Sequence, residues 1–381
     1  MSHAGAQSAH SPRFDEGAHD YDALLVLSFG GPEGPDDVIP FLQNVAEGRA
    51  IPPARLEEVA HHYHDFGGVS PINAQNRALI AALEAELCAH GPNLPIYFGN
   101  RNWHPFVTDT VRQMRADGVR RALLFVTSAY GSYSGCRQYR EDLERACAAV
   151  SDGDPAAAPR FDKLRLFYNH PGFIEPLVEK ARAALESFAP ESRPRVQVLF
   201  TAHSIPASMA AASDYVAQLE ESSRLVAAGA GIADYRLVWQ SRSGPPHVPW
   251  LEPDICDTLR ALHAEQGHSA ADVLIFPIGF ISDHMEVLFD LDTEAQAVAA
   301  ELGMHLVRAE TVGTHPRFIA MIRELIVERM SGHPQRLALG TRGANHDICP
   351  LDCCLKGQGA GAIIRGGGTV PALRANNRPA S

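Results

Sequence analysis

Short, nearly unbroken apolar runs alternate along this chain with stretches whose apolar residues recur every three or four positions. The runs are 22–29 (DALLVLSF), 95–99 (PIYFG), 121–127 (RALLFVT) and 164–168 (LRLFY), then 195–201 (RVQVLFT), 235–240 (YRLVWQ), 273–278 (VLIFPI) and 304–308 (MHLVR). They are too continuous for half-exposed strands and predict parallel strands covered on both faces. Helical periodicity fills the gaps. In 173–188, Ile174, Leu177, Val178, Ala181 and Leu185 share one face, and in 317–330 Phe318, Ile322, Leu325 and Ile326 do the same. Asp117-Gly118 predicts a helix end before the third strand, with glycine just past the terminus. The βαβα order predicts an α/β architecture with parallel sheets.

Four strands, a Pro/Ala/Asp-rich stretch at 151–163 and four more strands predict two similar halves. The expected division is a polar, disordered N-terminus (1–20), a first domain (21–163) and a second domain (164–330) whose last helix can pack back on the first. A cysteine-bearing segment (331–355) and a disordered tail (356–381) follow. With 381 residues there is enough chain for two cores.

Charge and composition narrow the function. The net charge of −12, with no Lys/Arg block, argues against a nucleic-acid partner. No apolar run has the length of a transmembrane segment, and the N-terminus lacks the basic-then-apolar order of a secretion signal. A cytoplasmic location is the expectation. Seven cysteines, unevenly spaced, do not make a secreted disulfide framework. Three of them, Cys349, Cys353 and Cys354, crowd into six residues. Spectator thiols, a disulfide, zinc and an iron–sulfur cluster are all open to them. Adjacent cysteines make a poor disulfide with each other, and dense soft thiolates favour Fe–S or Zn.

After the first strand comes Phe29-Gly30-Gly31-Pro32-Glu33-Gly34. It is not a dinucleotide fingerprint: G-x-G-x-x-G is missing, and Pro32 removes a backbone donor. The alternative is a tight turn letting a broad ligand approach the backbone.

Two strands of the second half end in polar residues that suit a site better than a core. Strand 195–201 runs into Ala202-His203-Ser204, and strand 273–278 into Ser282-Asp283-His284-Met285-Glu286. Ligands of open α/β sheets bind outside the carboxyl ends of strands. Glu286, Asp290 and Glu294 recur every fourth residue, which puts three like charges on one helix face. Such a row is either a solvated face or a path for a divalent cation inward or protons outward. Imidazole and carboxylate together suit Fe(II) in transit, and no dense zinc pattern is present. A third polar cluster, Trp239-Gln240-Ser241-Arg242-Ser243-Gly244-Pro245-Pro246 with Trp250, suits a flat aromatic ligand carrying carboxylates, or else a packed loop.

At these residues the chain resembles the ferrochelatases, over roughly 22–330. The matching stretches are LSFGGPEGP (27–35), FGGVSPI (66–72), YFGNRNWHP (97–105), TAHSIP (201–206), WQSRSGPP (239–246), PWLEPD (249–254) and FPIGFISDHMEVLFDLD (276–292). The resemblance is strongest to the actinobacterial type, which makes coproheme from coproporphyrin III. It implies two Rossmann-like, chelatase-type domains around a porphyrin cleft, with porphyrin and ferrous iron as substrates. His203 would accept pyrrole protons or meet the metal, Glu286 would be its acid partner, and His284, Asp290 and Glu294 would continue the iron path. Arg101, Tyr130, Ser132 and Tyr133 would line the cleft with Phe29, Trp239 and Ser241. Some bacterial members carry a tyrosine that reaches the metal where this chain has Phe29, which leaves Tyr133 as the candidate oxygen ligand. The resemblance also implies a [2Fe-2S] cluster on Cys136, Cys349, Cys353 and Cys354, although this cysteine spacing is not the commonest in the family. A monomer is expected, with transient hand-over to the next haem-pathway enzyme. The competing readings are a protoporphyrin IX enzyme, a non-catalytic tetrapyrrole carrier and a cobalt chelatase. The intact His203 and Glu286 argue against a carrier.

Overall fold

A computed structural model describes residues 19–48, 51–265, 271–332 and 335–357. The N-terminal stretch to residue 18 and the tail from 358 onward, expected to be disordered, lie outside them.

Among the described residues, eight strands form two four-stranded, wholly parallel sheets. β1 (Ala23–Ser28), β2 (Ile96–Asn100), β3 (Arg121–Val126) and β4 (Arg160–Lys163) lie in the order β2-β1-β3-β4. β5 (Gln197–His203), β6 (Tyr235–Gln240), β7 (Asp272–Phe276) and β8 (His305–Arg308) lie in the order β6-β5-β7-β8. Each sheet repeats the other's topology, and in each the winding reverses between the first and third strands, where a ligand crevice forms.

One expected strand is not there. Residues 164–168 are buried but lie outside the sheet, and the fourth strand falls instead at 160–163, inside the stretch expected to be a linker. The Leu164 amide still bonds the Leu124 carbonyl at 2.9 Å, and then the chain leaves the ladder. Beyond it, side chains satisfy the backbone: Ser222 Oγ donates to the Tyr168 carbonyl at 2.7 Å. The apolar run 164–168 marks burial among helices, which periodicity alone does not separate from burial in a sheet.

Inner faces of both sheets meet in one core. Leu24, Val26, Leu123 and Phe125 belong to the same buried cluster as Val198, Phe200, Leu274 and Phe276. Phe167 joins them, its ring 5.5 Å from Phe125, 5.4 Å from Phe173 and 5.8 Å from Phe318. Phe318 lies on the helix Pro316–Ser331, which packs against the helices Ile72–His90 and Pro171–Glu186. The last helix therefore does return to the first half, where Arg323 Nε bonds Glu86 Oε1 at 2.8 Å. A smaller, separate cluster of Val38, Phe41, Leu42 and Ala60 holds the helices Val38–Ala46 and Pro53–Asp65 together.

Candidate active site

Strand β5 delivers His203 to the crevice. Its backbone is held from three sides. Tyr215 Oη donates to the His203 carbonyl at 3.0 Å, His203 pairs with Gln240 of β6, and the Ser204 amide bonds the Gln240 carbonyl at 2.8 Å. His203 Nδ1 faces the Ser204 carbonyl at 2.5 Å, so Nδ1 carries a proton and Nε2 is the nitrogen free to exchange one.

The segment after β7 comes alongside because of Gly279. Its amide bonds the Thr201 carbonyl at 3.0 Å, and a Cβ there would stand 2.6 Å from that of Ala202. This contact sets the helix Met285–Phe289 beside His203, with Glu286 in its first turn, where the helix dipole favours a carboxylate. Glu286 lies between two imidazoles: Oε1 is 3.6 Å from His203 Nε2, and Oε2 is 3.8 Å from His284 Nδ1.

Electrostatics make His203 and Glu286 an ion pair. Burial alone would lower the His203 pKa, but the Glu286 carboxylate outweighs it and raises the value to about 9. Burial alone would raise Glu286, and the His203 charge instead brings it down to about 2. His203 is therefore not a base of near-neutral pKa in the ligand-free chain, as its residue type alone suggests; it already holds its proton. His284 moves the other way, lowered by burial and by the His203 charge against the pull of Glu286.

The acid row continues on a π-helical segment, Asp290–Ala295. Asp290 is pushed up to about 7, chiefly by burial and then by its neighbours Glu286 and Glu294, against hydrogen bonding from Ser241. Ser241 Oγ donates to Asp290 Oδ2, and Gln240 Nε2 reaches the same oxygen at 3.3 Å and the Glu286 carbonyl at 3.2 Å. Ser241 has φ +62°, a left-handed conformation costing on the order of 1–3 kcal/mol, and it turns the hydroxyl at the end of β6 onto the acid. Glu294 is raised by burial and by Asp254. A π-turn is a common device at functional sites, and here the three expected acids stay in electrostatic contact through it.

The first half closes over this site. The His62 and Phe289 rings stack at 3.7 Å and 10°, Gln75 Oε1 accepts from the Asp283 amide at 2.9 Å, and Tyr130 Oη donates to the Ile278 carbonyl at 3.0 Å.

Several residues expected on the cleft wall have partners within the protein. Tyr130 is fully buried and spends its hydroxyl on Ile278. Ser132 is buried and caps the π-turn Tyr133–Arg137 through the Gly135 amide. Trp239 is buried against Tyr215 at 6.0 Å. Trp250 packs on Gly244, where a Cβ would stand 2.2 Å from the indole nitrogen. For both tryptophans the packed-loop alternative describes the arrangement, while Ser241 alone of that loop's expected contacts reaches the acids. Tyr133 Oη donates to Glu141 Oε2 at 3.0 Å, and burial with that carboxylate raises its pKa to about 12, which is unfavourable for a metal-binding phenolate. Arg101 is ion-paired with Asp142 and lies over the Tyr139 ring at 4.7 Å, behind the half-exposed Phe29. The glycines after β1 serve internal packing: Gly30 (φ +85°) faces Asn100, and Gly31 faces Ser70 and Ile72. Protein neighbours make a close approach at both glycines.

The four cysteines named with the cluster do come together. Cys136 Sγ is within hydrogen-bonding reach of Cys349 and Cys354, Cys349 of Cys353, and Cys353 lies 3.5 Å from Cys354. The sequence reading missed Gln240 and Tyr215, whose roles come from strand pairing and a distant helix. It also missed His346, whose position three residues before Cys349 was a readable ligand spacing.

Parallel sheets with an imidazole–carboxylate pair and an acid row at the switch point define a class of site that handles a cation and protons together. The ferrochelatase family model matches residues 21–330, and the chain belongs to the ferrochelatase family. It is 53% identical to a coproporphyrin III ferrochelatase of Streptomyces griseus, over 88% of this chain and 93% of that protein. It is 55% identical to a coproporphyrin III ferrochelatase of Nocardia farcinica, over 87% and 96%. A ferrochelatase of Rhodopirellula baltica is 52% identical over 88% and 93%. Among the described residues no helix is long and apolar enough to cross a membrane.

Proposed function

We propose that this enzyme inserts Fe(II) into coproporphyrin III, releasing two protons, with His203 and Glu286 at the centre of the step. The observation that carries the reading is the His203–Glu286 ion pair at the β5 carboxyl end, continued by Asp290 and Glu294. Substrate identity is supported by the relatives bearing that name at 53% and 55% identity.

The pair explains how metal arrival and proton removal are coupled. Carboxylates and imidazoles replace water on the entering cation. A cation reaching Glu286 cancels the charge that holds the proton on His203 Nε2. His203 then falls toward an ordinary histidine pKa, its Nε2 proton passes to the acid row or to water, and the freed Nε2 can accept a pyrrole proton. Asp290, titrating near neutrality, relays protons onward along the row.

The thiol ring is chemically suited to a [2Fe-2S] cluster on Cys136, Cys349, Cys353 and Cys354. Such a cluster would supply one-electron chemistry, which metal insertion does not use. We read the segment as structural or regulatory, in a monomer that passes its product to the next enzyme transiently.

The test is a turnover assay with Fe(II) and either coproporphyrin III or protoporphyrin IX, following loss of free-porphyrin fluorescence. Faster turnover of coproporphyrin is expected. Preference for protoporphyrin would overturn the substrate, and turnover of neither would overturn the reaction.

A further inference from the structure

The C-terminal segment offers one more metal donor than a four-thiolate site needs. His346, Cys349 and Cys353 each present a ligand atom, and these atoms lie within 4.8 Å of one another. The His346 imidazole is within hydrogen-bonding reach of both thiols. A tetrahedral ion with bonds of about 2.0–2.3 Å holds its ligand atoms about 3.3–3.8 Å apart, so the trio needs only a contraction of about 1 Å or less to close on a metal.

The five donors divide by depth. Cys136 and Cys354 are buried, at 2% and 7% exposure, and lie within reach of each other. Cys349 and Cys353 are half-buried, and His346 is exposed. Cys136 sits in the π-turn of the first half, and Arg137 beside it donates to the Leu351 and Cys353 carbonyls at 2.7 and 3.1 Å. The inner pair is thus fixed to the body of the protein. The outer trio is carried by a loop of eight residues, 346–353.

We propose that His346 is a metal ligand of this site, binding with one of Cys349 and Cys353 on the solvent side, while Cys136 and Cys354 hold the inner side. In a two-iron cluster the inner iron takes the two buried thiolates, and the outer iron draws its two protein ligands from the trio. His346 takes one of these positions. The thiols that ligate release their protons, and His346 binds as neutral imidazole. The third outer donor is then a spare, so the outer position tolerates loss of one cysteine and the inner position does not. The inference goes beyond the four-thiolate reading above and rests only on a metal being held at this ring.

The experiment reconstitutes the full chain with Fe(III) and sulfide under anaerobic conditions and reduces the product by one electron with dithionite, which gives the EPR-active Fe(III)/Fe(II) pair. It measures iron per chain and records pulsed EPR of the reduced protein for nitrogen coupling. Wild type should show histidine nitrogen coupling that is lost in His346→Ala and in His346→Gln, with the fold unchanged by circular dichroism. Cys353→Ser should keep at least half of the wild-type iron and retain the coupling, while Cys136→Ser should fall below a tenth. A wild-type cluster without nitrogen coupling would overturn the role of His346 and leave the four-thiolate cluster standing. A chain that takes up no iron would overturn both.

Discussion

Replacing Glu286 with glutamine removes one charge from the His203 pair and keeps its shape. Two unit charges 3.6 Å apart attract by about 1 kcal/mol in water and by about 4–5 kcal/mol at an effective dielectric of 20. Glu286 is 47% exposed on its side chain and His203 31%, so solvent screening holds the interaction well below the upper figure. A value of about 2 kcal/mol corresponds to about 1.5 pH units. The expected result is a fall of His203 from about 9 to about 7.5 or lower in E286Q, read from the imidazole resonances in an NMR titration of the ligand-free protein. The two partners also set a pH window for stability. His203 is raised above its unfolded value, so its contribution is complete below about pH 6.5 and is lost as pH rises through about 9. Glu286 is depressed, so its contribution is present above about pH 4.5 and is lost as pH falls through about 2. The pair therefore stabilises the fold most between these limits. An unchanged His203 titration in E286Q would refute the coupling of metal arrival to proton release, because the carboxylate would not be what holds the proton.

His203→Ala should abolish turnover while porphyrin still quenches or shifts in fluorescence on binding; retained turnover would remove the residue from the reaction. Asp290→Asn should eliminate the ionisation near pH 7 from the pH profile of kcat/KM, because Asp290 is the buried acid raised to about that value in the free enzyme. Tyr133→Phe should leave iron insertion within about threefold of wild type, since the hydroxyl is engaged with Glu141; a loss of tenfold or more, about 1.4 kcal/mol, would restore it as a metal ligand. Phe167→Ala should destabilise the protein by about 3–5 kcal/mol in urea unfolding, with loss of one cooperative transition rather than of one half alone.

Much of the architecture is legible because parallel strands buried on both faces leave continuous apolar runs. Seven of the eight expected strands overlap observed ones. The exception, 164–168, is equally apolar but is buried by helices, and nothing in its own residues distinguishes the two environments. His203, Glu286, Asp290 and Glu294 were legible because they sit at strand ends or along one helical stretch, where polar residues are poor core choices. The protonation state of His203 was not legible, since it depends on a carboxylate 83 positions later in the chain coming within 3.6 Å. Tyr130, Ser132 and Trp239 lie in matching segments, but motif membership does not say whether a side chain faces the cleft or supports its wall. Gly30 and Gly31 are the same kind of case: their sequence signals a close approach, and only the fold shows that Asn100, Ser70 and Ile72 are among the neighbours.

The single core shared by the two sheets has a mechanical consequence. Interiors packed this densely transmit strain and compress little, so the ends of β5 and β7, which lead to His203 and to the helix bearing Glu286, cannot part without disturbing the phenylalanine seam that joins the halves. Compliance is left to the helices Val38–Ala46 and Pro53–Asp65, which rest on their own small cluster and touch the site through the His62–Phe289 stack. A ligand reaching this pair is therefore admitted by movement of that cover, and the spacing of His203 and Glu286 is kept by the core beneath them.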